Sequence, residues 1–215
     1  MRRLILTALL AALAGGLFAQ EIFVSAGADV WSNVWMNASL LQYDEKLNVS
    51  PTISLGYMQR FAGEAIKSGL GISYWLPRSA GGKPQGYPGR LTFSDIAVYA
   101  SIQVYPVRLA GAGNLADYLY VRGNLGYNHP IFSGDWASTR LYSSRGDFHF
   151  GAGGGIETPF GLSFELLYNR YYWGAEVWVD GGSPGSSGSR VLDKAGYQNF
   201  TIVIGYKFSL RRSMY

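Results

Sequence analysis

The sequence predicts an all-β chain, an eight-stranded, antiparallel, up-and-down transmembrane β-barrel after a cleaved N-terminal signal peptide. Three observations predict it. Segments of about ten to twelve residues alternate apolar side chains with small or polar ones, the length that crosses hydrocarbon at a tilt, whereas soluble strands average about five or six. The connections between these segments alternate long and short, as they do when strands run up and down through a bilayer. The chain holds 29 Gly, 16 Tyr, 11 Phe and 6 Trp but only 15% charged residues, so it is rich in strand formers and interfacial aromatics and poor in helix formers. After the leader no apolar run is long enough for a membrane helix, which leaves a closed barrel as the way to satisfy every backbone donor in lipid.

Met1-Arg2-Arg3 gives a positive start, residues 4–18 an apolar run, and Leu17-Phe18-Ala19 a small-residue cleavage site. Residues 1–19 are therefore expected to be a signal peptide and residues 20–215 one transmembrane barrel domain. There is no cysteine, so no disulfide framework and no lipid-modified amino terminus is expected. The formal charge of +4 includes Arg2 and Arg3; the remaining charge of about +2 gives no argument for nucleic acid.

Strand one is expected over residues 21–31, with Ile22, Val24, Ala26, Ala28 and Val30 on the lipid side, followed by a connection over 32–48. Strand two (49–61) turns Val49, Pro51, Ile53, Leu55 and Tyr57 outward; strand three (65–76) does so with Ile66, Leu70, Ile72, Tyr74 and Leu76. A Pro/Gly-rich connection over 77–91 leads to strand four (93–105), the cleanest alternation in the chain, Ile96, Val98, Ala100, Ile102 and Val104 against Asp95, Ala97, Tyr99, Ser101, Gln103 and Tyr105. Strand five (117–128) opposes Leu119, Val121, Leu125 and Tyr127 to Tyr118, Tyr120, Arg122, Asn124 and Gly126. After a loop over 129–146 comes the hairpin 147–173, and after a Gly/Ser-rich loop over 174–196 the last strand, 197–208. Aromatics at strand ends, Tyr57 and Phe61, Tyr74 and Trp75, Tyr171 to Trp173, and Tyr206 and Phe208, are read as two interfacial girdles.

The segments GAGGGIETPFGLSFELLYNRYYW (151–173) and FTIVIGYKF (200–208) resemble the last hairpin and closing strand of the small eight-stranded outer-membrane barrels of diderm bacteria, the OmpA, OmpX, OmpW and opacity-protein superfamily. The resemblance implies residence in the outer membrane, with outer-membrane lipids and the barrel-assembly machinery as partners. It also implies an aromatic assembly signal at the end of the last strand, for which Phe208 and Tyr215 are the two candidates.

The interior positions suggest what the barrel does. Arg122 and Glu165 fall at one height and Lys67, Glu157 and Lys207 at a lower one, so both layers set opposite charges together and are expected to pair and plug the lumen, since unpaired buried charge is costly. Trp75, Tyr99, Tyr105, Tyr118 and Tyr120, with Leu167, give the inner wall an aromatic lining. The first reading is thus a surface-exposed structural or host-interaction protein. The alternative, by analogy with OmpW-like barrels, is a narrow channel for small hydrophobic solutes.

A third reading, a lipid A-modifying enzyme, needs a nucleophile beside a base oriented by an acid. His149 and Glu165 have no Ser in the required position and His129 precedes Pro130 as a loop entry, so no catalytic residue, metal site or cofactor is expected. Arg145-Gly146-Asp147 forms an RGD tripeptide where the third long loop re-enters the barrel, a candidate for adhesion to host surface proteins. Arg170, Arg140 and Arg90 stand near the outer rim, where an anionic surface glycolipid would meet them.

Overall fold

The computed structural model describes residues 20–37, 42–61, 65–82, 90–110, 118–133, 141–178 and 190–210; the expected signal peptide, Arg140 and Tyr215 lie outside them. The chain folds into strands β1 (Gln20–Asn37), β2 (Gln42–Lys46), β3 (Pro51–Phe61), β4 (Ile66–Ser79) and β5 (Thr92–Val104). A short helix α1 (Pro106–Ala110) follows, then β6 (Leu119–Ser133), β7 (Leu141–Glu157), β8 (Leu162–Trp178) and β9 (Arg190–Ser209). Neighbours in sequence pair antiparallel from β3 through β9, and β1 pairs with both β3 and β9. The sheet therefore closes. β2 pairs with the upper part of β1 and β3 with its lower part, so β2 and β3 form one wall segment broken at residues 47–50. Eight walls enclose the lumen.

Period-two alternation dictates which residues face lipid. Val24, Ile53, Leu55, Ile72, Val98, Leu125, Leu166 and Ile202 are exposed on the outer surface, while Ser25, Thr52, Ser73, Tyr99, Asn124, Glu165 and Thr201 on the same strands are buried inside. An exposed belt of apolar side chains around the barrel would be untenable in water; facing hydrocarbon, it is the anchoring surface.

The strands are longer than the sequence pattern predicts, and the excess lies at the end opposite the short turns. β1 continues to Asn37, β4 to Ser79, and β7 begins at Leu141. Register shifts between Asp29 and Trp31, Trp75 and Arg78, and Gly146 and His149 mark bulges. At each one two successive side chains face away from the lumen before the alternation resumes: Val30 with Trp31, Leu76 with Pro77, Asp147 with Phe148. A bulge adds one residue to one strand and inverts the parity beyond it. The expected connection over 32–48 thus contains barrel wall and the β2 segment, and the loop over 129–146 contains the end of β6 and the start of β7. Pro130 sits inside β6 opposite Asp95.

The turn joining β7 to β8 shows how a short end is made. Leu162 N donates to Thr158 Oγ1 at 3.0 Å and Gly161 N donates to the Thr158 carbonyl at 3.0 Å. Gly161 has φ +94°, the left-handed region that a side chain would make costly. Its carbonyl accepts Lys207 N at 2.9 Å, which ties the turn to β9.

Candidate functional site

The lumen is filled by stacked layers, each built from inward-facing residues of several walls. At the level of the short turns, Glu157 on β7 receives Lys67 from β4 at 2.8 Å, Lys207 from β9, and the hydroxyl of Tyr105. Lys67 also lies 2.9 Å from Glu21 on β1, and Glu21 pairs with Arg60 of β3. Lys207 Nζ donates to Gln103 Oε1 at 3.0 Å. One level up, Arg122 Nη1 lies 2.7 Å from Glu165 Oε2, and Tyr120 OH donates to Glu165 Oε1 at 2.7 Å. Arg122 Nε donates to Asn124 Oδ1 at 3.0 Å and to Ser101 Oγ at 3.1 Å. Strand register brings these groups together, since Gln103 pairs with Arg122, Arg122 with Gly153, and Glu165 with Val203 across consecutive walls.

Above this lies a small polar chamber of about 20 Å³ bounded by Ser73, Trp75, Tyr99, Arg122, His149 and Asn169, among others. His149 is stacked on Tyr171 with ring centroids 4.3 Å apart and meets Tyr99 edge-on at 5.9 Å. Tyr99 itself lies over Gly71, where a Cβ would come within 2.6 Å of the ring.

The next layer holds a further buried ion pair, Asp29 with Arg78 at 2.8 Å, both fully enclosed. The Arg78 guanidinium lies 4.6 Å from the Tyr197 ring, a cation–π contact. Asp29 accepts from Asn199 at 2.8 Å and Thr201 at 3.0 Å; Asp95 accepts from Tyr197 OH at 2.9 Å and Asn128 at 3.2 Å. Phe93 packs on Trp173 and Tyr197 with centroids 5.2 and 5.4 Å apart. Val34, Leu47, Leu91 and Ala195 complete this buried cluster.

All five residues expected to form the charge network, Lys67, Arg122, Glu157, Glu165 and Lys207, are joined in two groups; Glu21, Asp29, Arg78 and Asp95 join the interior charges and were not foreseen. Of the aromatic lining, Trp75, Tyr99, Tyr105 and Tyr120 are buried inside. Tyr118 is a correction. It precedes β6 and stands half-buried at the rim, 5.8 Å from the Arg108 guanidinium. Trp75, Tyr171 and Trp173, expected in the girdle, face inward instead, while Phe61, Tyr74, Tyr206 and Phe208 remain on the lipid surface. Glu165 is taken up by Arg122 and Tyr120, and His149 by flanking rings. His129 is exposed within β6 rather than at a loop entry. Arg145, Gly146 and Asp147 lie within strand β7, with Gly146 paired to Trp173, so the tripeptide is part of the barrel wall rather than the point where the loop re-enters it.

A closed antiparallel barrel of eight walls, apolar outside and packed inside, defines a small outer-membrane β-barrel protein, and the outer membrane is its location. No family model and no curated protein matches the sequence. Among solved structures the chain is similar to the outer membrane protein OprG from Pseudomonas aeruginosa, with 14% identity over 89% of this chain and 96% of that one and a TM-score of 0.51. It is similar also to the outer membrane protein AlkL in lipid bilayers, with 11% identity over 92% and 94% of the two chains and a TM-score of 0.57. At these identities the likeness is one of fold.

Proposed function

We propose that this protein is a closed barrel that acts through the surface it presents, as a structural or surface-interaction protein of the outer membrane, and neither conducts solutes nor catalyses a reaction. The observation that carries this reading is the filled lumen. Two ion-pair layers, a chamber of about 20 Å³ and an aromatic layer follow one another along the barrel axis. An eight-walled barrel is narrow enough for side chains to fill, and a solute would have to break a buried ion pair to pass. The expected partners are outer-membrane lipids, the barrel-assembly machinery and surface molecules met by the long connections.

A second reading, a narrow channel for small hydrophobic solutes, draws on the apolar character of the upper lumen, where Val34, Leu47, Leu91, Phe93 and Trp173 are buried together. Planar-bilayer recording of the refolded protein separates the two. The closed-barrel reading expects a silent bilayer for the native protein and for Trp75→Ala; steady conductance that changes with Trp75→Ala overturns it in favour of the channel.

A further inference from the structure

The cations Arg170, Arg145 and Lys194 stand on the outside of the barrel at its upper end. Arg170 lies on β8 between Asn169 and Tyr171, both buried inside, so its own side chain is on the lipid surface. Its guanidinium lies 5.3 Å from the Tyr172 ring and 5.8 Å from Trp35, and its Nε is shielded without a hydrogen-bond partner. No acidic side chain pairs with it among the described residues. At a rise near 3.3 Å per residue and an ordinary barrel tilt, Arg170 sits about 20 Å above Leu162, near the far edge of an apolar band about 25 Å tall. A guanidinium there is costly unless an anion meets it.

Four residues higher, Gly174 pairs with Arg145 of β7 on one side and with Lys194 of β9 on the other. Both cations are exposed. Having no side chain, Gly174 leaves a recess between two cations whose strands are about 10 Å apart. Asp147, the near carboxylate on β7, accepts the Phe148 amide at 2.8 Å. At the other end of the barrel the cations Arg60, Lys67 and Lys207 are all taken up by Glu21 and Glu157. The upper cations stand above rings that continue the lipid-facing belt: Trp31 against Phe200 at 5.8 Å and Tyr168 against Phe200 at 5.2 Å.

We infer that the β7–β8–β9 wall carries a binding site for a phosphorylated glycolipid of the outer leaflet, with Arg170, Arg145 and Lys194 receiving its phosphate groups and the rings below receiving its acyl chains. Charge complementarity selects phosphate, and continuity with the lipid-facing belt selects a lipid as its carrier.

The test uses the full-length refolded protein in phosphatidylcholine nanodiscs, titrated with bisphosphorylated lipid A, dephosphorylated lipid A, or phosphatidylglycerol, with tryptophan emission as the readout. Bisphosphorylated lipid A is expected to bind at least tenfold more tightly than either comparison lipid. Combining Arg170→Gln, Arg145→Gln and Lys194→Gln is expected to abolish that preference, whereas Arg108→Gln, on α1 at the opposite end of the barrel, is expected to retain it. Arg170→Gln alone, whose folding is verified by its heat-shifted gel band, is expected to lose severalfold. Equal binding of all three lipids, or a preference unchanged in the triple variant, overturns the inference; so does equal loss in Arg108→Gln.

Discussion

The lower and upper halves of the lumen are filled by different means. Near the short turns, ion pairs dominate and nearly every polar atom has a partner: Glu157 holds two lysines and a tyrosine, and Glu165 an arginine and a tyrosine. In the upper half, rings dominate. Polar atoms there, Asp95 Oδ1, Arg78 Nε and Nη2, Tyr171 OH and the indole nitrogens of Trp75 and Trp173, have no hydrogen-bond partner. The lower half is a satisfied network, which specifies one arrangement of its walls. The upper half is held by ring packing around one ion pair, and its unsatisfied groups make it the softer part of the plug.

The largest effect is expected in the lower half. Arg122→Met leaves Glu165 buried with Tyr120 as its remaining strong donor, and stranding one member of a buried pair costs about 3–5 kcal/mol. Urea unfolding of the refolded protein in lipid vesicles should shift accordingly. An unchanged midpoint would show that the lower layers are filling rather than a lock.

A smaller effect is expected above. Tyr197→Phe keeps the rings over Arg78 and against Phe93 but removes the hydroxyl that Asp95 accepts at 2.9 Å. Asn128 remains, so the loss is about 1–3 kcal/mol. A loss as large as that of Arg122→Met would mean that the upper half is a hydrogen-bonded lock too.

The same contrast governs what the sequence revealed. From the short turns up to the bulges, alternation is unbroken, and both the wall assignments and the grouping of Lys67 with Glu157 and Arg122 with Glu165 could be read by counting residues up from the turns. Beyond the bulges, counting fails. The parity inversion after Trp75 hides Arg78, which by strict alternation belongs on the outside at the start of a Pro/Gly-rich loop. The inversion near Asp147 likewise makes Arg145 and Gly146 look like loop. Pro130 misleads for another reason, since it removes an amide donor and so reads as a strand end. Glu21, Asp29 and Asp95 carried a usable signal, because each shares inward parity with residues already placed inside; two acids at one height imply a cation between them, and Arg78 fills that place.

A turn substitution gives a reference for backbone effects. Gly161→Ala places a side chain at φ +94° with a Cβ 2.5 Å from the Lys207 carbonyl oxygen. The conformational cost is about 1 kcal/mol, and relief of the contact adds to it. Unfolding in vesicles measures it. A neutral Gly161→Ala would show that the turn shifts freely and does not help to hold Lys207 in register.

The smallest effect sharpens the boundary of the plug itself. Tyr118 and Tyr120 are two residues apart and share a parity by simple counting, yet Tyr120 is buried against Tyr105 with centroids 5.3 Å apart and donates to Glu165, while Tyr118 stands half-buried at the rim beside Arg108. Tyr118→Ala should therefore change stability by less than about 0.5 kcal/mol, the usual range for a surface change. Tyr120→Ala removes a ring and a charged-acceptor hydrogen bond together and should cost several times more. Comparable losses from the two would place Tyr118 inside the lumen and extend the plug below Glu157. Only a large difference agrees with a lower layer that ends at Tyr105, Lys207 and Glu157, where charge pairing gives way to solvent.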